Sequence, residues 1–216
     1  MDQPGVEVRP IVTSTGDAEF CEVFFDDART EEENILGEVN HGWVVANSLL
    51  GLERGEEAAT NPILFRGELD RLIDLARTHG RGDDPVIRQR LAWCYSKVEI
   101  MRILGYRILT QWLADGELGP ESSIAKLYWS EYHQVATDLA LEIMGVGGLV
   151  REGRHPSRQL RTDEVGAPNS NNAWLDIFLL NARSGTVYAG TSEIQRNILG
   201  ERVLGLPREP RPEGGN

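Results

Sequence analysis

The sequence predicts a mainly α protein, an antiparallel four-helix-bundle-like domain preceded by a short β-sheet fragment. Three observations lead to this fold class. Long segments after Gly42 place apolar residues at helical spacing. Within residues 1–39, apolar and polar residues alternate as they do in β-strands. Pro85 and Gly145 mark the start of one helix and the end of another. We predict three units: residues 1–39 as a sheet fragment, 40–206 as the bundle, and 207–216 as a disordered tail rich in proline.

Two short strands are predicted in the first unit. The apolar residues of Val6–Val12 suggest one, and Glu19–Phe25 alternates before a turn at Asp26 and Asp27. Because two short strands are marginally stable in water, this unit looks like the end of a larger sheet.

The helical part shows apolar stripes separated by turn residues, with a break or kink expected at Pro62. Asp83 and Asp84 are expected to cap the helix that starts with Pro85 in its first turn. Residues 151–172 read as a loop. The predicted helices are Trp43–Ala59, Leu64–Ala76, Val86–Leu113, Ser122–Met144, Trp174–Ser184 and a terminal helix from Thr191.

Composition excludes several functions. A net charge of −12 argues against non-specific nucleic-acid binding, which needs basic surface. The chain has no run of about 18 apolar residues and no basic start followed by an apolar stretch, so we expect a cytoplasmic protein without a membrane segment. Cys21 and Cys94 lie far apart and favour reduced thiols. The four histidines lack metal-ligand spacing, and no metal site is expected.

A turn of small residues opens directly onto the terminal helix. Gly190 can adopt backbone angles that a Cβ forbids, and Thr191 or Ser192 can cap the first free N–H groups. Such a helix start suits a phosphate, a carbonyl or a flavin ring edge, although an ordinary capped helix shows the same pattern.

This run, Tyr188–Arg208, resembles the C-terminal signature of the acyl-CoA dehydrogenase family. Pro4–Ile11 and Glu22–Asp27 resemble the closing strands of the family's middle β-domain. Gly37–Trp43 resembles the link into its C-terminal bundle, and Arg88–Ala92 resembles the start of the second bundle helix. The resemblance covers nearly the whole chain and implies dehydrogenation of an acyl-CoA by FAD. It also implies an electron-transfer flavoprotein as acceptor and a homo- or hetero-tetramer.

The resemblance also points to a catalytic base. Many members carry the base in a Tyr-Glu-Gly-Thr turn, where this chain has Ala189. A second group of the family holds it on the first bundle helix, at the position that Glu53 occupies here. The resemblance therefore implies Glu53 as the base that removes the α-proton, with Arg54 orienting it or the substrate. A surface glutamate beside a solvated arginine is the alternative for this pair.

Flavin contacts carry over from the family unevenly. Gly190, Thr191 and Ser192 match the turn that meets the cofactor, Glu193 lies near it in relatives, and Gly190 also lies at the substrate. Glu142 and Gly145 stand in the stretch where the family has Gln-x-x-Gly-Gly-x-Gly, which supports the dinucleotide of a neighbouring subunit. The pyrophosphate motif Arg-x-x-Phe-Gly is absent, and Arg77 or Arg81 could replace its arginine or be solvated.

These departures resemble bacterial members that pair unlike subunits and handle bulky acyl chains, including steroid side chains. The family's N-terminal helical domain and most of its β-domain do not occur in this sequence, which suggests a fragment or a truncated chain. A natural short subunit is the alternative. Two further functions stay open: a non-catalytic partner subunit of a heteromeric enzyme, and a same-fold flavoprotein acting on another substrate, such as a monooxygenase or nitroalkane oxidase.

Overall fold

The structure is a computed structural model that describes residues 3–15, 18, 20–116, 119, 122–150, 174–175 and 177–208. For residues 51–59, 180 and 181 it describes the backbone. The expected loop at 151–172 and residues 209–216 of the expected tail lie outside the described residues, so those two expectations stay predictions.

A two-stranded antiparallel sheet opens the chain. Strands β1 (Val6–Ile11) and β2 (Phe20–Phe25) pair with Val6 opposite Phe25 and Ile11 opposite Phe20. Apolar side chains on the sheet, including Val8, Phe24 and Phe25, remain exposed. The two strands match the predicted positions, and their exposed faces agree with a sheet fragment that has little core of its own.

The first helix differs from the prediction. Helix α1 runs unbroken from Gly42 to Thr78 with Pro62 inside it, so two helices separated at Pro62 were a wrong expectation. Proline removes one backbone hydrogen bond and costs about 3 kcal/mol in a helix interior. Side chains on the C-terminal half offset that cost, since Leu69, Leu72 and Ala76 are fully buried.

Two more long helices complete the main bundle, and their ends follow the predicted caps. Helix α2 (Pro85–Asp115) begins after Asp84, whose Oδ1 accepts hydrogen bonds from the N–H groups of Val86 at 2.9 Å and Ile87 at 3.3 Å. Helix α3 (Ser122–Met144) ends at Gly145, which has φ of +60°, a conformation that favours glycine. Both capping predictions are confirmed.

The C-terminal part is built from short helical pieces. A π-helical turn, Ile177–Asn181, leads into the short helix α4 (Ala182–Ser184). Helix α5 (Ser192–Ile198) follows, and a second π-helical turn, Leu199–Val203, continues it. Thr191 caps α5 as predicted, because its Oγ1 accepts a hydrogen bond from Ile194 N at 3.3 Å.

One apolar core joins the three long helices and Trp174. Aromatic rings form its centre, with Phe65 stacked on Trp129 at 5.8 Å between ring centroids and Tyr132 edge-on to Phe65. Cys94 is buried in this core and Cys21 is exposed, and both are free thiols as expected. Among the described residues, no helix combines the length and apolar composition that crossing a membrane requires.

The direction of the helices orients everything that follows. Phe65 contacts Trp129, and Glu68 contacts His133 one turn further along both helices, so α1 and α3 run parallel. Helix α2 runs against α3, since Arg90 pairs with Glu142. The N-terminal half of α1 therefore lies toward the same end of the bundle as the start of α3. The mainly α fold class with a small N-terminal sheet is confirmed.

Candidate functional site

The turn before α5 has an unusual backbone. Ala189 has φ of +52° and Gly190 has φ of +92°, so two consecutive residues lie in the left-handed region. Such angles cost a residue with a Cβ roughly 1–2 kcal/mol. A Cβ at position 190 would lie 2.6 Å from Nε2 of Gln195, so any other residue would force that buried side chain to move. The turn is therefore a fixed, strained feature, as the glycine at 190 suggested.

Two buried side chains hold this turn from inside. Lys126 on α3 is 1% exposed, and its Nζ donates a hydrogen bond to Gly190 O at 2.7 Å. Gln195 on α5 is fully buried, and its Nε2 donates to Ala189 O at 2.9 Å and to Gly190 O at 3.4 Å. Both carbonyls of the turn thus point into the protein.

Aromatic rings connect the turn to the first helix. The Tyr188 ring lies 6.3 Å from that of Trp129, which stacks on Phe65 of α1. The Nζ of Lys126 lies 5.9 Å from the Tyr188 ring centroid, within cation–π range. The turn, α3 and α1 therefore form one packed unit at this end of the bundle.

Glu193 stands in the first turn of α5 and is exposed. Its own backbone N–H and the Thr191 hydroxyl donate hydrogen bonds to its carboxylate, and these lower its pKa. Arg196 and Lys126 lower the same pKa further through their positive charge. Glu193 therefore stays ionised at neutral pH. Ser192 is buried, and its Oγ lacks a hydrogen-bond partner among the described residues.

The other two expected cofactor residues lie at the far end of α3. Glu142 pairs with Arg90 of α2, and Gly145 ends the helix. Sixteen residues separate Lys126 from Glu142, which is about 24 Å along the helix axis. One small group cannot contact both ends of α3. The expectation that the Glu142 stretch meets the dinucleotide of a neighbouring subunit stays a prediction.

Glu53 and Arg54 lie within α1, and their side chains lie outside the described residues. Glu53 precedes Phe65 by twelve residues, roughly 18 Å along the helix toward the end where the turn stands. Its assignment as the base therefore stays a prediction. Arg77 and Arg81 form ion pairs with Asp74 and Asp84, so both are occupied by near neighbours in sequence.

Four of the buried polar residues in the described part of the chain were not predicted from the sequence. Besides Lys126 and Gln195, the structure pairs Glu68 with His133, whose Nε2 lies 3.1 Å from Glu68 Oε2 in the core. A signal existed for Lys126, because it is one of two lysines among 22 basic residues and falls on the apolar stripe of α3. Within the described part, no group of three or more potential metal ligands comes together.

The residues at the turn fit a flavin. The site offers a glycine at which a Cβ would crowd Gln195, the buried hydroxyl of Ser192, which has no partner among the described residues, and backbone N–H groups beside two inward-facing carbonyls. These are the features that a planar ring with carbonyl acceptors at its edge requires from a protein surface.

Comparison with known proteins supports the resemblance. Residues 40–204 match the family model for the C-terminal domain of acyl-CoA dehydrogenase. Acyl-CoA dehydrogenase IpdE1 of Mycolicibacterium smegmatis is 39% identical over 97% of this chain and 48% of its own length. This chain thus spans about half the length of that curated relative.

Solved structures agree with this result. The Tcur3481-Tcur3483 steroid ACAD has a TM-score of 0.77 at 25% identity, covering 96% of this chain and 50% of that one. The ChsE4-ChsE5 complex of Mycobacterium tuberculosis, at 24% identity, shares the fold with a TM-score of 0.72 over 95% of this chain and 51% of that one. The chain belongs to the acyl-CoA dehydrogenase family, of which it contains the C-terminal helical domain.

Proposed function

We propose that this chain is the bundle part of an FAD-dependent acyl-CoA dehydrogenase that introduces a double bond between the α and β carbons of an acyl thioester. Family membership and the left-handed turn at Ala189 and Gly190 support this function. The turn carries it, because it combines a close approach, backbone N–H groups without an acceptor among the described residues, and a rigid frame of buried side chains.

Glu53 is the base in this proposal. Removal of the weakly acidic α-proton requires a carboxylate within hydrogen-bond reach of the carbon, and partial burial would match its pKa to the task. Ala189 cannot act as a base, and Glu53 on α1 is the family alternative for that role. Arg54 would orient Glu53 or the substrate, and Gly190 would border the thioester.

Gly190, Thr191, Ser192 and Glu193 would hold the flavin edge, while Glu142 and Gly145 would support the dinucleotide of a neighbouring subunit. When bound, FAD supplies the acceptor for the hydride that leaves the β carbon. The residues of this chain position the two carbons and exclude water around the reacting groups. Electron-transfer flavoprotein would then reoxidise the cofactor. The acyl group would be a fatty or steroid-derived chain, as the name of the similar steroid ACAD suggests.

The test replaces Glu53 with glutamine in the complete, flavin-loaded enzyme. We expect Glu53→Gln to lose nearly all dehydrogenation of acyl-CoA and to retain bound FAD, whereas the control Glu56→Gln, a nearby glutamate, stays active. The double variant Glu53→Gln/Ala189→Glu should regain measurable activity, because it returns a carboxylate to the turn. Full activity in Glu53→Gln would refute the assignment.

A second function, a partner subunit without its own chemistry, is favoured by the exposed apolar surface. The outer face of α2 carries large apolar side chains that are exposed to solvent, namely Ile100, Ile103, Tyr106, Leu109, Trp112 and Leu113. Such a face suits contact with further subunits in a homo- or hetero-tetramer. The partner function predicts a colourless purified protein that yields flavin only after co-expression with an active subunit.

A further inference from the structure

The carbonyls of Ala189 and Gly190 determine where the neighbouring N–H groups point. The chain has no cis peptide bond among its described residues, and in a planar trans peptide the N–H lies opposite the carbonyl of the preceding residue. Ala189 O faces Gln195 and Gly190 O faces Lys126. The N–H groups of Gly190 and Thr191 therefore point away from those two side chains.

Among the residues that the structure describes, these two N–H groups have no acceptor and can receive one from a ligand. Within the part of the chain that the structure describes, neither donates a hydrogen bond to any backbone or side-chain oxygen. Gly190 and Thr191 are half-buried, so the turn is partly open to solvent. Two adjacent N–H groups that point away from the protein interior suit an oxygen with negative charge.

Keeping the turn in this orientation requires the two buried donors. Ala189 pays a conformational penalty for its positive φ, and without Lys126 and Gln195 its carbonyl and that of Gly190 would be buried without partners. Arginine could not replace Lys126 without loss, because its planar fork differs from the compact amino group that reaches Gly190 O at 2.7 Å.

We propose that Lys126 and Gln195 are positioning residues of the dehydrogenase: they hold both carbonyls inward and so present the N–H groups of Gly190 and Thr191 to a carbonyl oxygen. That oxygen belongs either to the flavin ring or to the thioester, which are chemically alike as acceptors. The inference rests on the proposed function and assigns to this chain two residues that touch neither substrate nor cofactor.

The experiment compares Lys126→Met with Lys97→Met in the complete, flavin-loaded enzyme. Lys97 is the other lysine of the chain, and its Nζ lies 4.5 Å from the Tyr128 ring centroid rather than at the turn. We expect Lys126→Met to lower kcat roughly ten- to a hundredfold with little change in KM, because a misplaced donor acts on the transition state. Lys126→Arg should recover part of kcat, and Lys97→Met should behave as the unmodified enzyme.

The visible absorption of the bound flavin separates the two acceptors. A spectrum that shifts in Lys126→Met before substrate is added assigns the donor pair to the flavin, and an unchanged spectrum with reduced kcat assigns it to the thioester. If Lys126→Met does not fold, Gln195→Glu is compared instead, since it keeps the shape of the side chain and removes its donor to Ala189 O.

Two results would overturn the proposal. One is a Lys126→Met enzyme with the kcat and flavin spectrum of Lys97→Met. The other is a parallel loss of folded protein, flavin and activity that Lys126→Arg does not relieve, which would show a purely structural role. Failure of the proposed function gives different results. If the flavin-loaded protein does not dehydrogenate acyl-CoA, its flavin spectrum still shows whether Lys126→Met changes the turn. If Glu53→Gln is active, the assignment of Glu53 as the base is wrong, and the role of Lys126 is unaffected.

Discussion

Replacement of Gly190 by alanine tests the strained turn directly. The added Cβ would lie 2.6 Å from Nε2 of Gln195, closer than real Cβ contacts, so the glutamine side chain must move. Gln195 is fully buried and cannot move into solvent. Its displacement breaks the 2.9 Å hydrogen bond to Ala189 O and leaves that carbonyl without its donor.

The magnitude follows from two contributions. A Cβ at φ of +92° costs roughly 1–2 kcal/mol of backbone strain. Loss of the buried hydrogen bond adds about 1–2 kcal/mol, because one partner stays buried and unpaired. We expect Gly190→Ala to lower the free energy of unfolding by about 2–4 kcal/mol, measured by urea denaturation followed through tryptophan fluorescence.

Gly67 provides the matched control for this substitution. It lies inside α1 and is exposed, and a Cβ added to it would have no atom within 4 Å apart from its chain neighbours and the backbone of its own helix. Gly67→Ala should therefore raise the free energy of unfolding by roughly 0.5–1 kcal/mol, since alanine loses less conformational freedom in a helix. A Gly190→Ala protein as stable as the unmodified one, or two variants that change stability in the same direction, would contradict the strain assigned to Gly190.

Two further predictions concern the core. His133→Leu should lower the free energy of unfolding in urea by about 3–5 kcal/mol, because it leaves the Glu68 carboxylate buried without its partner at 3.1 Å. The double variant Glu68→Leu/His133→Leu should lose less stability than this single variant. A double variant less stable than both single variants would contradict the prediction. Burial raises the pKa of Cys94 to about 12, so its thiol stays protonated up to pH 9. A thiol reagent should therefore modify Cys21 alone in the folded chain and both cysteines in urea. Rapid labelling of Cys94 at pH 8 would show that it is accessible.

Local signals allowed much of the fold to be predicted from sequence. Asp84 before Pro85 and Gly145 after Met144 fixed the ends of α2 and α3, because caps depend on residues next to one another. Pro62 misled the prediction for the opposite reason. The local cost of a proline is offset by side chains such as Leu69 and Leu72, whose burial depends on helices that follow later in the sequence.

The turn at residues 188–192 was predictable as a site because its residues are contiguous, but the side chains that hold it were not. Lys126 lies 64 residues before Gly190, and only the packing of α3 against α5 brings them together. The pairing of Glu68 with His133 across 65 residues has the same character. Periodicity places such residues on a buried face, and it cannot say which polar atoms meet there.

Ala189 explains why the turn should matter even without a carboxylate. An alanine at φ of +52° retains a strained backbone that a different loop would avoid, and two buried donors are committed to its support. If the turn served only to carry a base, the loss of that base would remove the reason for the strain. A turn that also presents N–H donors to a carbonyl oxygen keeps its use when the base moves to α1. The strained backbone at Ala189 and a base at Glu53 are therefore compatible, and the Lys126 and Glu53 variants test the two functions independently.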